Sequence, residues 1–93
     1  MIKVLVERTI KGKRVKEITR LLRMLRVLAM QQPGYISGET LHEVGAPNNY
    51  LVISAWYSLE QWQAWFSSPE RQKLQADLDG YMEAPTHIKV YTY

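Results

Sequence analysis

The sequence contains no cysteine, and this absence removes several kinds of chemistry at once. Without thiols the chain forms no disulfide bonds, no thiolate metal sites and no cysteine nucleophile. No apolar run approaches the roughly 20 residues that a membrane-spanning helix needs. The stretch "MIKVLVERTI" also lacks the basic start, long apolar centre and cleavage site of a secretion signal. We therefore expect a cytoplasmic protein that does not interact with membranes.

The local motifs of nucleotide-binding and hydrolytic enzymes are absent as well. There is no GxGxxG, no P-loop and no nucleophile elbow. The two histidines, His42 and His87, fall on separate predicted strands, and no His/Asp/Glu group has the spacing of a zinc site. The sequence therefore predicts no metal site.

Positive charge is concentrated in the first third of the chain. Residues 1–30 carry nine Lys/Arg against two Glu, a balance of +7, whereas residues 31–93 carry three against seven acidic residues, a balance of −4. A basic region can attract nucleic acid or an anionic ligand. Here the basic residues are spread along one predicted helix with no interleaved aromatic residues for stacking on bases. We therefore predict a solvated basic helix face and no nucleic-acid partner.

In the first half of the chain, the spacing of the apolar residues changes from that of a strand to that of a helix and back. "IKVLVERTI" is rich in β-branched residues and predicts a strand over 2–10. Helical spacing follows from Arg14 to about Gln32, where "QQPG" stops it. "YISGETLHEV" and "NYLVISAWY" then predict two strands, joined by the turn-rich connection "GAPNN".

The second half supplies two short helical segments and a last strand. Ser58 and Gln61 spell a capping box before a helix over 59–66. The stretch "SSPE" restarts a helix that ends near Gly80, and "THIKVYTY" predicts the final strand. The order β-α-β-β-α-β in one domain, 1–93, predicts an α+β, ferredoxin-like fold: a four-stranded antiparallel sheet with its helices on one face.

The third predicted strand is apolar on both of its faces. Tyr50, Val52 and Trp56 alternate with Leu51, Ile53, Ala55 and Tyr57. A sheet with helices on one face and water on the other should alternate between apolar and polar residues. The far face is therefore expected to be covered, and a second copy of the sheet is the economical cover. We predict a homodimer formed by sheet-to-sheet packing.

All three tryptophans lie within ten positions, in "SAWYSLEQWQAWFSSPERQKL". Trp62 is explained by packing next to the helix cap and by the core. Trp65 has no such local role, and a tryptophan on a helix above a sheet can wall a flat apolar cavity for a planar aromatic ligand. Burial in a small core is the alternative for either residue.

Three polar residues are candidates for chemistry. His42 is a general base if it lies in a pocket, and otherwise a polar side chain near a strand end. Glu7 and Arg8 point to opposite faces of the first strand. The one on the helix side is a candidate for holding an anionic or carbonyl-bearing substrate. The alternative is an ion pair at the rim of the dimer.

The order of the elements, "PGYISGETL" after the first helix, and "ISAWYSLEQWQAWFSSPERQKL" together resemble the antibiotic biosynthesis monooxygenase (ABM) family. The resemblance covers nearly the whole chain and implies a dimeric α+β barrel with one cavity per subunit. Members of one branch oxidise aromatic polyketides or quinols with molecular oxygen and no cofactor, because the substrate anion itself reduces oxygen. A related branch binds haem and degrades it.

The resemblance also implies roles for single residues. Trp65 matches the cavity tryptophan of both branches. Gln75 stands where the haem branch has its ligand histidine, which argues against haem degradation. The asparagine on the first strand of the family falls at Glu7 or Arg8, and neither is an asparagine.

We therefore expect a cofactor-independent monooxygenase that acts on a small phenolic or quinol-type aromatic. Trp65, Arg8 and His42 are its expected catalytic residues, and Glu7, Trp62 and Gln75 its expected substrate-binding residues. A non-catalytic dimer of the same fold that binds small molecules is the alternative.

Overall fold

The computed structural model describes residues 1–12 and 15–93, and its elements follow the predicted order. They are β1 (Ile2–Thr9), α1 (Val15–Met30), β2 (Tyr35–Glu43), β3 (Ala46–Trp56), α2 (Leu59–Phe66), α3 (Pro69–Asp79) and β4 (His87–Thr92). The predicted start of the first helix, at Arg14, lies outside the described residues. The predicted short helix over 59–66 has the bounds of α2.

The four strands form one antiparallel sheet in the order β2-β3-β1-β4. The helices pack on one face of this sheet, so the predicted ferredoxin-like α+β fold is confirmed. The two helical segments predicted in the second half of the chain are α2 and α3, which Ser67 and Ser68 separate. Ser68 caps the second of them, since its Oγ accepts a hydrogen bond from the backbone N–H of Arg71 at 3.3 Å.

Alternation along β1 decides which of its side chains meet the helices. Ile2 and Val4 are buried, whereas Lys3 and Glu7 on the other face are exposed. One hydrophobic core joins this face of the sheet to all three helices. Its members are Ile2, Val4, Ile10, Ile18, Leu21, Leu25, Trp56, Trp65, Leu74, Leu78 and Met82.

The second face of the sheet, here called the open face, is covered by no element of residues 1–12 and 15–93. It presents apolar side chains among charged ones, as the two-sided apolar pattern of the third strand predicts. Its apolar members are Leu5, Leu41, Leu51, Ile53 and Tyr91, placed there by the strand register. Leu41 is 44% exposed and Tyr91 is 51% exposed.

The connection between β2 and β3 is shorter than predicted. Instead of the five-residue connection "GAPNN", two residues, Val44 and Gly45, make the turn, and β3 begins at Ala46. Gly45, the second turn residue, adopts a positive φ of 85°, which glycine adopts without strain. The sequence prediction placed this boundary too late because Pro47 reads as a strand breaker.

Candidate functional site

A cavity of about 90 Å³ lies between the helices and the sheet, and we call it the helix-face cavity. Every helix and strand contributes to its wall. The lining residues are Val4, Val6, Arg8, Leu22, Leu25, Arg26, Ala29, Tyr35, Gly38, Glu39, Thr40, Val52, Ser54, Trp56, Trp62, Trp65, Phe66, Arg71 and Ile88. The wall is therefore mostly apolar and aromatic, with a few polar groups, as in pockets that bind small organic molecules.

The three tryptophans all line this cavity. Trp56 is 1% exposed, and its Nε1–H donates to Ser54 Oγ at 3.1 Å. The Tyr35 ring meets Trp56 edge-on with centroids 5.4 Å apart. Trp65 is buried, and Trp62 is half-buried with its ring 5.1 Å from that of Phe66. Aromatic rings thus form both the sheet side and the helix side of the wall.

Helix α2 is short and fixed at its start, which positions Trp62 and Trp65. The Ser58 Oγ accepts from the backbone N–H of Gln61 at 3.2 Å, and the same hydroxyl donates to Gln61 Oε1 at 3.1 Å. The N-cap half of the predicted capping box is therefore present, and the Gln61 side chain binds the Ser58 hydroxyl. Since residues three apart share a side of a helix, Trp62 and Trp65 point in similar directions.

Arg8 enters the cavity from β1 and is 7% exposed. Its Nη2 donates to Gln75 Oε1 at 2.9 Å, while its buried Nε has no hydrogen-bond partner among the described residues. Burial, followed by the charge of Arg71, lowers the pKa of Arg8 to about 10, and Asp79 opposes this. Arg8 is therefore a cation at neutral pH, held in an environment that disfavours its charge.

Arg71 enters the same cavity from the first turn of α3, and sequence reasoning missed it. It is also 7% exposed, and its Cζ lies 4.3 Å from the centroid of the Phe66 ring. Its Nη1 donates to the Phe66 carbonyl at 3.4 Å, and burial lowers its pKa, which Asp79 partly offsets. A signal was available, because Arg71 shares a helical stripe with the buried Leu74 and Leu78.

Gln75 lies outside the helix-face cavity, in an adjoining cleft of about 540 Å³ that we call the outer cleft. Phe66, Arg71 and Ile88 line both spaces and therefore separate them. The Gln75 Nε2 donates to Asp79 Oδ1 at 2.7 Å and to Thr86 Oγ1 at 3.2 Å. All of these contacts orient the Gln75 amide so that its oxygen faces Arg8.

The structure does not bring Glu7 and His42 into the helix-face cavity. Glu7 faces the open face, where its Oε2 is 3.8 Å from His87 Nδ1 in an exposed pair. Arg8, and not Glu7, therefore lies on the helix side of β1. His42 is exposed near the end of β2, 3.2 Å from the Pro47 carbonyl through Nδ1, with its ring 4.3 Å from that of Tyr50.

The described residues, 1–12 and 15–93, contain neither a cluster of metal ligands nor a membrane-spanning helix. No group of three or more His, Asp or Glu side chains in these residues is placed to hold a metal ion. No helix in this part of the chain is long and apolar enough to cross a bilayer. The cytoplasmic location expected from the sequence stays a prediction.

Sequence comparison decides the family. The sequence profile of the antibiotic biosynthesis monooxygenase (ABM) family matches residues 1–77. This chain belongs to that family. No curated protein sequence matches the ABM chain significantly.

Solved structures similar to this ABM chain share its fold over nearly the whole length. A conserved protein from Methanosarcina mazei Go1 is 19% identical, with a TM-score of 0.89 over 97% of this chain and 89% of that one. SnoaB, a cofactor-independent oxygenase from Streptomyces nogalater, is 16% identical, with a TM-score of 0.87 over 99% and 91%. An antibiotic biosynthesis monooxygenase from Nitrosomonas europaea is 15% identical, with a TM-score of 0.88 over 100% and 98%. At these identities the likeness shows the fold.

Proposed function

We propose that this ABM protein is a cofactor-independent monooxygenase that oxidises a small phenolic or quinol-type aromatic with molecular oxygen. One observation carries the proposal: the three tryptophans and the buried Arg8 line the same cavity. Aromatic walls suit a planar ring, and a buried guanidinium suits an oxyanion. Membership in the family and the fold shared with SnoaB, an oxygenase, point in the same direction.

The proposed reaction needs an electron-rich anion of the substrate. The phenol loses its proton, and the phenolate passes one electron to oxygen, giving a phenoxyl radical and superoxide. These combine to form a carbon–oxygen bond and a hydroperoxide. The hydroperoxide then loses the proton on its carbon, the oxygen–oxygen bond breaks, and a carbonyl and water result. A quinol plus O₂ thus gives a hydroxyquinone plus water, so that no external reductant is consumed.

The protein contributes orientation and electrostatics in this proposal. Arg8 stabilises the phenolate and lowers the pKa of the bound phenol, because an adjacent positive charge favours the anionic form. Trp62 and Trp65 hold the ring and exclude water from the radical pair. His42 lies outside the cavity, so we assign the first proton to solvent at the open side of the cavity.

Oxygen uptake measured with a panel of hydroquinones and anthrones tests the proposal. We expect uptake above the buffer rate, insensitive to a metal chelator, with one atom of ¹⁸O₂ in the product. Trp65→Phe should lower the rate, whereas Tyr57→Phe is the matched control, since Tyr57 is 67% exposed and does not line the cavity. Rates equal to buffer with every substrate, and no effect of Trp65→Phe, would refute the proposal.

The alternative is a non-catalytic dimer that binds small aromatic molecules. It is favoured by the position of His42, since this leaves no histidine among the residues that line the cavity. Ligand-dependent quenching of tryptophan fluorescence without product formation in any oxygen experiment is the result that selects it.

We also propose that the protein is a homodimer joined through its open faces. The apolar side chains Leu41, Leu51, Ile53 and Tyr91 support this, because one small subunit leaves them uncovered. Sedimentation equilibrium at micromolar concentration is the test. A mass near twice 10.9 kDa supports the dimer, and a mass of one chain contradicts it.

A further inference from the structure

Two buried arginines share the helix-face cavity, and neither is paired directly with an acidic side chain of the described residues. These residues, Arg8 and Arg71, are each 7% exposed. Asp79 is exposed, and its contact with Arg8 runs through the Gln75 amide. Arg26 lines the cavity too, and the one acidic residue in the wall, Glu39, is exposed and faces the open face by its strand register. The cavity therefore carries an excess of positive charge.

Such an arrangement is costly for a protein that binds nothing there. Buried charges are ordinarily paired, because removing an ion from water is unfavourable and like charges repel. The Arg8 Nε–H also lacks a partner. Both arginines keep fixed positions through contacts with neutral groups, Gln75 in one case and Phe66 in the other. An anionic ligand would pair with this charge, and the two guanidiniums are already held in place to receive it.

We propose that the helix-face cavity selects a single-ring aromatic carboxylate, with its ring among the tryptophans and its carboxylate between Arg8 and Arg71. This inference rests on the proposed function in one respect: the ring is the group that becomes oxidised. A planar carboxylate matches the fork of a guanidinium, and two guanidiniums provide donors for both of its oxygens.

The size of the cavity favours one ring. Its volume of about 90 Å³ is below the roughly 150 Å³ of an engineered cavity that binds benzene. A single ring therefore already requires a small outward movement of the wall, and a fused polycycle would require far more. Arg71 lies at the boundary with the outer cleft of about 540 Å³. A carboxylate held there leaves room outside for a further substituent.

Binding of benzoate, benzyl alcohol and inorganic phosphate to the wild-type protein is the first test, measured by tryptophan fluorescence without oxygen. Benzoate cannot undergo the quinol chemistry, so its binding does not depend on catalysis. We expect benzoate to bind at least ten-fold more tightly than either of the other two. Equal affinity for benzyl alcohol would overturn the role of the charge, and equal affinity for phosphate would overturn the role of the ring.

Two variants locate the carboxylate. Arg8→Gln and Arg71→Gln should each weaken benzoate binding at least ten-fold and leave benzyl alcohol binding within about two-fold. Arg23→Gln, on the exposed face of α1, is the matched control and should change neither. Unchanged benzoate binding in both cavity variants would overturn the proposal. The wild-type comparison of ligands keeps the test valid if a variant does not fold.

Oxygen uptake separates this inference from the proposed function. We expect a higher kcat/KM for 2,5-dihydroxybenzoate than for hydroquinone, with the difference lost in Arg71→Gln. If dihydroxybenzoate binds through the arginines but no oxygen is consumed, the oxygenase proposal fails and the carboxylate site stands. If hydroquinone is oxidised with the higher kcat/KM, the carboxylate site fails and the oxygenase stands.

Discussion

Arg8 and Gln75 are joined by a 2.9 Å hydrogen bond from the arginine Nη2 to the amide Oε1, across 67 positions of the chain. The other end of the Gln75 amide donates to Asp79 and Thr86, so its oxygen is left facing β1. Gln75 therefore fixes the position of the Arg8 guanidinium without neutralising it. This makes Gln75 a positioning residue of the cavity.

Gln75→Glu is expected to weaken the binding of benzoate by ten-fold or more. The new carboxylate would pair with Arg8 and remove the uncompensated charge that attracts the ligand. Gln63→Glu, at an exposed position of α2, adds the same charge away from the cavity and should have no effect. Isothermal calorimetry with both variants measures the difference, and equal affinities would contradict the role given to Gln75.

Arg8→Met is expected to stabilise the ligand-free protein at pH 7. Burial and the charge of Arg71 lower the pKa of Arg8 to about 10, which corresponds to a cost on the order of 3 kcal/mol for its buried charge. The pKa of Arg8 is higher in the unfolded chain, so the cost is fully present below about pH 10 and is relieved as the pH rises from there towards the ordinary pKa of arginine. Loss of the hydrogen bond between Arg8 and Gln75 offsets about 1 kcal/mol of the stability gained by removing the buried charge. Urea unfolding should show a net gain of about 1–2 kcal/mol, and a clear loss of stability would contradict this account.

Benzoate affinity is expected to be constant from pH 7 to 9 and to fall above about pH 10. In the ligand-free protein, burial and the charge of Arg71 lower the pKa of Arg8 to about 10, while Asp79 opposes this lowering. Arg8 therefore loses its proton above that pH. Since the ligand binds the protonated form, affinity should fall by about ten-fold per pH unit beyond that point. Fluorescence titrations excited at 295 nm measure the profile, with circular dichroism to verify the fold. In Arg8→Gln the remaining affinity should lack this fall near pH 10.

Ile53→Glu is expected to convert the proposed dimer into a monomer. Ile53 lies on the open face, opposite Leu5 and Glu39 in the neighbouring strands. A carboxylate buried there between two sheets would be unpaired, which costs several kcal/mol. Glu60→Gln, on the exposed side of α2, is the control. Sedimentation equilibrium should show one chain for the variant and two for the control.

The fold was predictable because its signals are local. Strand alternation, the Ser58 cap and the Ser68-Pro69 restart each act within a few residues, and all are present in the structure. The Val44-Gly45 turn was harder to predict, since Pro47 lies inside β3 at an irregularity of the register, between the pairs Glu43–Ala46 and His42–Tyr50.

The site was predictable only in part, because it depends on which residues distant elements bring together. Trp65 could be singled out from its neighbours, and Arg8 from alternation once the helix face was known. Arg71 and the Gln75 contact required the packing of α3 beside β1. His42 could not be excluded from the sequence, since the register puts it on the same face of the sheet as Arg8, and only the packing of the helices leaves it outside the cavity.

Gly38 lines the cavity from β2, and a methyl group added to it would lie 2.5 Å from the Tyr35 hydroxyl. A side chain at position 38 would therefore push Tyr35 into the space beside Trp56. The charge of the cavity, by contrast, comes mainly from β1 and α3. The volume and the charge of the cavity are thus set by residues in separate segments of the chain. Substitutions in β2 can therefore change the size of the molecule that the cavity accepts while the arginines of β1 and α3 keep its preference for anions.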